Sequence, residues 1–408
     1  GLGGARWSTD VTLTNSGDHP QAVSLNLLED GHSTVSERTV TVPARGQRRL
    51  KDVVTSLGRS GVGGLGIQSS SNDVTATSRT FASASGATYG QSLPALATGQ
   101  LQTADTTWLL PGLRSGNGFH TNFGLLNPGN VTATVQFEVH DPTGASLGTV
   151  ILAAEPGAFV QAVEAIARVT PDPVTGAFAV ATVSPADATV SFYGSVVDDG
   201  SHDPTTIMPL SREGAGGSLM APSVASVAGF GTTRWASSVD LVNLGTTAAA
   251  AMLTLHLPSE VLTATISVPG GAVWRSEDVV TEVFATEGTG WLSVDAGSAV
   301  LVGASRTYTT GPEGTFGQSV PILAATATHS CQAPVLIPGL TRADGFRTNL
   351  GFTNPGVEPL LLQVTLLDDA GSEVDRFDVT VPADAKSGYF EVEYKGRRYK
   401  APKKLRVR

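Results

Sequence analysis

Cysteine is almost absent: the 408 residues hold one, Cys331. A single thiol cannot form an internal disulfide, which excludes the cross-linked scaffolds of small eukaryotic secreted domains and leaves a bacterial surface protein open. Lysine is as scarce over most of the length, since Lys51 is the only one before residue 386. Aromatic residues make up 6% and charged residues 15% of the chain. No stretch of about 18 apolar residues occurs, so no membrane-spanning helix is expected. The opening GLGGARWSTD has neither a basic start nor an apolar run, and no targeting segment is expected there. Gly, Ala, Ser, Thr and Val fill the space instead, a composition that favours many short strands and turns over helices. At 408 residues the chain exceeds one ordinary core and predicts three or four domains.

The formal charge of −10 is unevenly placed. From Lys386 to Arg408 nine residues are basic against Glu391 and Glu393, a net of +7 that leaves −17 for the rest. Clustered basic residues can neutralise phosphates. An acidic body repels a polyanion, however, and the same tail suits docking on that body or on a neighbouring copy. Foreign sequence at the terminus is the other alternative, and nucleic acid is not the favoured partner.

One phrase recurs along the chain. RWSTDVTLTNSG from Arg6, GFHTNFGLLNPG from Gly118, RWASSVDLVNLG from Arg234 and GFRTNLGFTNPG from Gly345 align without gaps, placing Asn15, Asn127, Asn243 and Asn354 in one column. The spacings are 112, 116 and 111 residues. TVTVPA at Thr39, TISVPG at Thr265 and DVTVPA at Asp378 fall at matching offsets, and SRTFASASGATYGQSLPAL from Ser78 returns as SRTYTTGPEGTFGQSVPIL from Ser305. The first and third units resemble each other most, as do the second and fourth, so the chain reads as an A-B-A-B array. The expected modules are 1–98, 99–212, 213–327 and 328–408. The first lacks an apolar opening segment that the others have, and the fourth departs from the pattern after VPADAKSGYFEVE.

Within a unit, Val11 and Leu13 alternate with Thr12 and Thr14, and Val23, Leu25 and Leu27 with Ser24 and Asn26, the period of strands with one buried face. Turn clusters EDG at Glu29, DPTG at Asp141 and DDAG at Asp368 separate them. DVVTSL at Asp52, AVEAIARV at Ala162 and EDVVTEVF at Glu277 predict one short helix per unit. About seven strands in about 110 residues is the profile of an immunoglobulin-like β-sandwich, with a barrel of similar strand number as the alternative.

Chemistry is harder to find. GVGGLG at Gly61 fits the dinucleotide fingerprint by letter, yet a short helix precedes it and strand-like IQSS follows, so a flexible turn is expected. No G-x-S-x-G elbow, H-E-x-x-H pair or paired-cysteine motif is present, and no catalytic residue is assigned. His140 and His256 share a column and are expected at strand ends. Asp198, Asp199 and Asp203 in DDGSHD gather three carboxylates that could hold calcium, without the spacing of an EF-hand loop; a solvated hairpin tip is the alternative. No other cofactor is expected. Trp7, Phe119, Trp235 and Phe346 occupy one column beside an alternating strand and are expected as core aromatics. Arg79 and Arg306, in the repeated SRT, are expected to be partly buried and paired to carboxylates or carbonyls, with Asp10 a candidate partner. Trp108, Trp274 and Trp291 lie outside the common column and are candidate binding aromatics.

The phrases ASRTYTTGPEGTFGQSVP, VPGGAVWRSEDVV and GFRTNLGFTNPG resemble repeats of secreted bacterial proteins with tandem immunoglobulin-like modules, found alone or beside a protease or other hydrolase. The likeness spans residues 1 to about 390. It implies an extracellular or cell-surface, non-catalytic array. The expectation is therefore a structural or adhesive protein, a rod self-associating with neighbouring copies head to tail into a filament by strand addition. The alternative is a carbohydrate- or protein-binding accessory region of a secreted hydrolase, with a glycan or surface protein as partner.

Overall fold

The computed structural model describes residues 6–29, 35–84, 87–229, 231–328, 334–341, 346, 348–386, 390–391, 394–395 and 398–399. Cys331 and most of the basic tail lie outside them. The chain is all-β and consists of several antiparallel sheets.

In the first repeat, alternating apolar residues give two sheets. Strand Trp7–Asn15 pairs with Gln47–Leu50 and with Val74–Ala84, and Ala87–Pro94 closes the edge. Strand Gln21–Glu29 lies between Val35–Val42 and Gly63–Ser69 in the second sheet. Val11 and Leu13 from one sheet meet Val23, Leu25 and Val40 from the other, so the sheets face each other across a shared core. GVGGLG is not wholly a turn, because strand Gly63–Ser69 begins within it.

The second repeat uses the same plan with larger side chains. Phe123 stacks on Phe137 at 4.4 Å and Phe192 meets Phe137 edge-on at 5.4 Å, joining strands from both sheets. Here an opening strand, Trp108–Ser115, pairs with Val174–Ser184. In the third repeat the opening strand Ser218–Ala228 pairs with both Gly288–Asp295 and Arg234–Asn243, which joins the strands into one nine-stranded sheet. The helical patterns become Val53–Ser56, a 3-10 turn at Ile166–Arg168 and Val279–Phe284. His140 and His256 end their strands, Ala133–His140 and Ala249–His256. In the fourth repeat Leu360–Leu367 pairs with Glu373–Val381, and Leu350, Val379 and Val381 form its core.

The repeated asparagines have one job in all four places. Each ends its strand buried, and its carbonyl oxygen accepts from the backbone N–H two residues on: Gly17, Gly129, Gly245 and Gly356, at 2.9 to 3.0 Å. Each amide nitrogen donates to the carbonyl four residues on (His19, Val131, Thr247, Glu358; 2.8–2.9 Å). It also donates to the far end of the Val-Pro strand or its equivalent: Pro43, Ala154, Val268 and Pro382 at 2.8 to 3.1 Å. One side chain therefore folds a tight Asx turn and ties two strands together through their carbonyls.

Candidate functional site

Ionisable groups gather where the second and third repeats meet. The loop between strands Thr189–Asp198 and Pro204–Ile207 carries the three predicted calcium carboxylates, and the structure points them at different partners. Asp198 Oδ1 accepts from the N–H groups of Gly200 and Ser201 at 3.0 Å each, while Oδ2 accepts from Thr315 N and Thr315 Oγ1, both at 2.8 Å. Asp203 Oδ2 accepts from Gly317 N at 2.7 Å and Arg306 Nη2 at 3.3 Å. Asp199 turns away to His120 Nδ1 at 2.5 Å. Among the described residues no group of three metal-ligating side chains converges. The loop is thus a plug on the edge strand Gly314–Pro321, whose outward N–H groups it satisfies, and not a solvated tip.

Burial raises the Asp198 carboxyl, but the hydrogen bonds from Ser201, Thr315 and Gly200 outweigh it and hold the group below its ordinary value. At Asp203 burial prevails over Gly317 N–H and Arg306 and pushes the carboxyl up to about 6. A folded value above the unfolded one means that the folded state binds the proton more tightly. Stability linked to Asp203 is therefore full below about pH 4 and is lost as pH rises through 6, a change of about 3 kcal/mol. Asp198 acts oppositely, losing its contribution as pH falls below the normal carboxylate range. Thermal midpoints should fall between pH 5 and 7 in the native chain, and Asp203→Asn should remove most of that slope; an unchanged slope in the variant would show that another group sets it.

Beside the plug lies a cleft lined by Gly112, Arg114, Phe119, Asp240, Arg306 and Tyr308, among others, with a cavity of about 30 Å³. That volume has room for one or two waters. Arg275 grips both oxygens of Asp240 and reaches Glu277 Oε1 at 2.8 Å, and Arg114 donates to both Glu277 oxygens at 2.8 Å. Arg114 also sits 4.7 Å from the Phe119 ring centre. Burial pushes the Asp240 carboxyl up to about 7, with nearby Arg114 holding it down and Glu277 adding to the rise, and Arg275 meets both its oxygens. Ser305 Oγ, which also lines the cleft, donates to Val320 O at 2.6 Å. The arrangement joins two surfaces, supported by Leu109 and Phe178 of the second repeat packed with Val242 and Val302 of the third.

The fourth repeat meets the first through corresponding positions. Val273 N donates to Pro142 O at 2.9 Å between repeats two and three, and Gln47 N donates to Asp369 O at 2.9 Å between repeats one and four. Gly112 (φ 76°) abuts Ala304 and Asp240, and Gly339 (φ 77°) abuts the matching Thr77 and Thr12. A Cβ on Gly144 would strike Gly271 O, and one on Gly371 would strike Arg45 O. Tyr89 and Phe316, which align in the repeat, lie against each other at 4.9 Å.

The aromatic column is core only in part: Phe119 packs against the second repeat's core. Trp7, Phe119 and Trp235 are partly exposed and Phe346 is 42% exposed, and the column falls at or near the start of the strand. Phe119 also stacks under Arg114, and Phe346 lies 5.5 Å from Arg79. Arg79 donates to Thr88 Oγ1 at 3.0 Å, and Arg306 to the matching Thr315 Oγ1 at 2.9 Å as well as to Asp203. Asp10, opposite Arg79 in the strand pairing, makes its hydrogen-bonded ion pair with Arg49 at 2.8 Å and acts on Arg79 through its charge. The three other tryptophans are packed: Trp291 is 4% exposed and stacked on His256 at 3.7 Å, Trp108 donates to Thr103 O at 3.0 Å, and Trp274 packs against the third core. Asp240 and Arg275 escaped sequence reasoning because they are specific to one repeat. No known family profile matches the chain, and a search of characterised proteins finds no match.

Proposed function

We propose that this is a non-catalytic, extracellular structural or adhesive protein of bacterial origin, built of immunoglobulin-like sandwich modules in A-B-A-B order. The observation that carries the reading is the asparagine set: the residues common to all four repeats form scaffold hydrogen bonds. Residues peculiar to one repeat bind the neighbouring repeat, as Asp198 does at Thr315 and Arg114 at Glu277. The matching contacts of repeats two with three and four with one favour a closed, compact body over a rod or a head-to-tail filament. The packed tryptophans weaken the reading as a glycan-binding accessory. The extracellular and bacterial assignments rest on the repeat phrases.

Screening against ester, glycoside, peptide and phosphate reporters is the test. No turnover is expected. Turnover that disappears on Arg306→Gln or Asp240→Asn would make the cleft a catalytic centre and overturn the reading.

A further inference from the structure

Two joints of the array correspond and differ in the side chains they carry. Repeats one and two meet where strand Gly63–Ser69 approaches Phe159–Ala162, and repeats three and four meet where Gly288–Asp295 approaches Ala385–Lys386. The residue before the repeated asparagine touches the preceding repeat in both: a Cβ on Gly64 would strike Leu126, and Thr353 Oγ1 donates to Pro222 O at 2.8 Å. His256 stands in the column of Leu28, counted from Asn243 and Asn15, and Asp384 in the column of Gly157, counted from Asn354 and Asn127. Gly157 and Asp384 also share a left-handed backbone, φ 72° and 50°. The second of these joints therefore holds an imidazole and a carboxylate where the first has groups that do not ionise.

His256 is buried, with its ring stacked on Trp291 and Nε2 lying 3.2 Å from Ser293 Oγ. Asp384 Oδ1 approaches Nδ1 to 3.0 Å from the fourth repeat. Strand Val261–Val268, paired with that of His256, brings no ionisable side chain, and Asp295, at the far end of Gly288–Asp295, accepts from Gly297 N. Glu260 meets Leu257 N through its backbone oxygen, and Glu287 is paired with Arg234 at 2.7 Å. Asp384 is thus the charged group that acts on the ring among the described side chains. Burial holds the imidazole below its ordinary value, and Asp384 works against that fall. A folded value below the unfolded one means that stability linked to His256 is full above the ordinary histidine range and is lost as pH falls through it; Asp384 offsets part of the loss.

We propose that His256 and Asp384 form a pH-sensitive clasp between the third and fourth repeats, one that strengthens when the ring takes up a proton. The protonated ring has a donor at each nitrogen, one for Asp384 Oδ1 and one for Ser293 Oγ, and lays its charge on the face of Trp291. The joint of repeats one and two, with Leu28 and Gly157 in these columns, lacks this response. The clasp adds regulation to the array and does not depend on whether the protein is catalytic.

Urea unfolding of the full chain at pH 8 and at pH 5, native against Asp384→Asn, is the test; asparagine accepts the backbone conformation of this position. The two midpoints should nearly coincide at pH 8 and separate at pH 5, with the variant lower. Other titrating groups, Asp203 among them, are common to both chains and cancel in the gap. NMR titration should show His256 binding its proton about threefold or more weakly in the variant. His256→Leu, the residue that fills this column as Leu28 and Leu367, should abolish the widening. Asp384→Gly, matching Gly157, should behave like Asp384→Asn and keeps the proposal testable if that variant misfolds. A gap equal at both pH values, a gap that narrows in acid, or an unchanged His256 titration would each overturn the clasp.

Discussion

Asp240→Ala should destabilise the second and third repeats by about 3 to 5 kcal/mol, the cost of leaving one half of a buried ion pair behind. Asp240 stands opposite Arg275 in the strand pairing, and both side chains are largely buried. The surrounding wall comes from the other repeat: a Cβ added to Gly112 or Gly176 would lie within 3.4 Å of the carboxylate, and one on Gly176 would lie 3.1 Å from Arg275 Cδ. Removing the carboxylate leaves Arg275 with Glu277 alone, inside a contact closed to all but a water or two. The loss should appear in urea melts as a lower midpoint for both repeats together, since the pair packs against the second repeat. Replacing both partners, Asp240→Leu with Arg275→Met, should recover much of the loss, because no charge is then stranded. A cost below about 1 kcal/mol for the single change would mean that water already reaches the pair.

Asn127→Ala should cost about 3 kcal/mol, because it strands Gly129 N–H and the carbonyls of Val131 and Ala154 at once. Asn243→Ala should behave alike in the third repeat, where the same three bonds recur. Asn127→Asp keeps the acceptor for Gly129 and loses both donor bonds, placing a charge against two carbonyls; it should be no better than alanine. Equilibrium unfolding of the single variants is sufficient. Near-wild-type stability for both alanine variants would show that the asparagine column is not what ties these strands together.

The alternation of Val11 with Thr12 and of Val23 with Ser24 was enough to identify strands, because a half-buried strand imposes a period of two on its own residues. The asparagines were legible too: Asn-x-Gly occurs at Asn15, Asn127, Asn243 and Asn354, the pattern of an Asx turn, although their second bond depends on a strand about 27 residues away. The aromatic column misled, since Trp7, Phe119, Trp235 and Phe346 sit at strand starts, where a large ring can meet a neighbouring repeat as readily as its own core. The contacts between repeats were the least legible. They rely on backbone groups such as Pro142 O, on the left-handed turns at Gly112 and Gly339, and on Asp198, Asp203, Asp240 and Arg275, which repetition does not highlight. The carboxylates of DDGSHD drew attention as metal ligands when the donors waiting for them were N–H groups more than 110 residues further along.

The central claim is that corresponding faces bind repeat two to three and repeat four to one, closing the array. Small-angle X-ray scattering of the monomer tests it most directly. A closed body of 408 residues should give a radius of gyration near 22 Å. Four sandwiches strung end to end, each at least the length of a nine-residue strand, should exceed about 35 Å. A value near the larger figure, from a folded monomer, would contradict the closed arrangement.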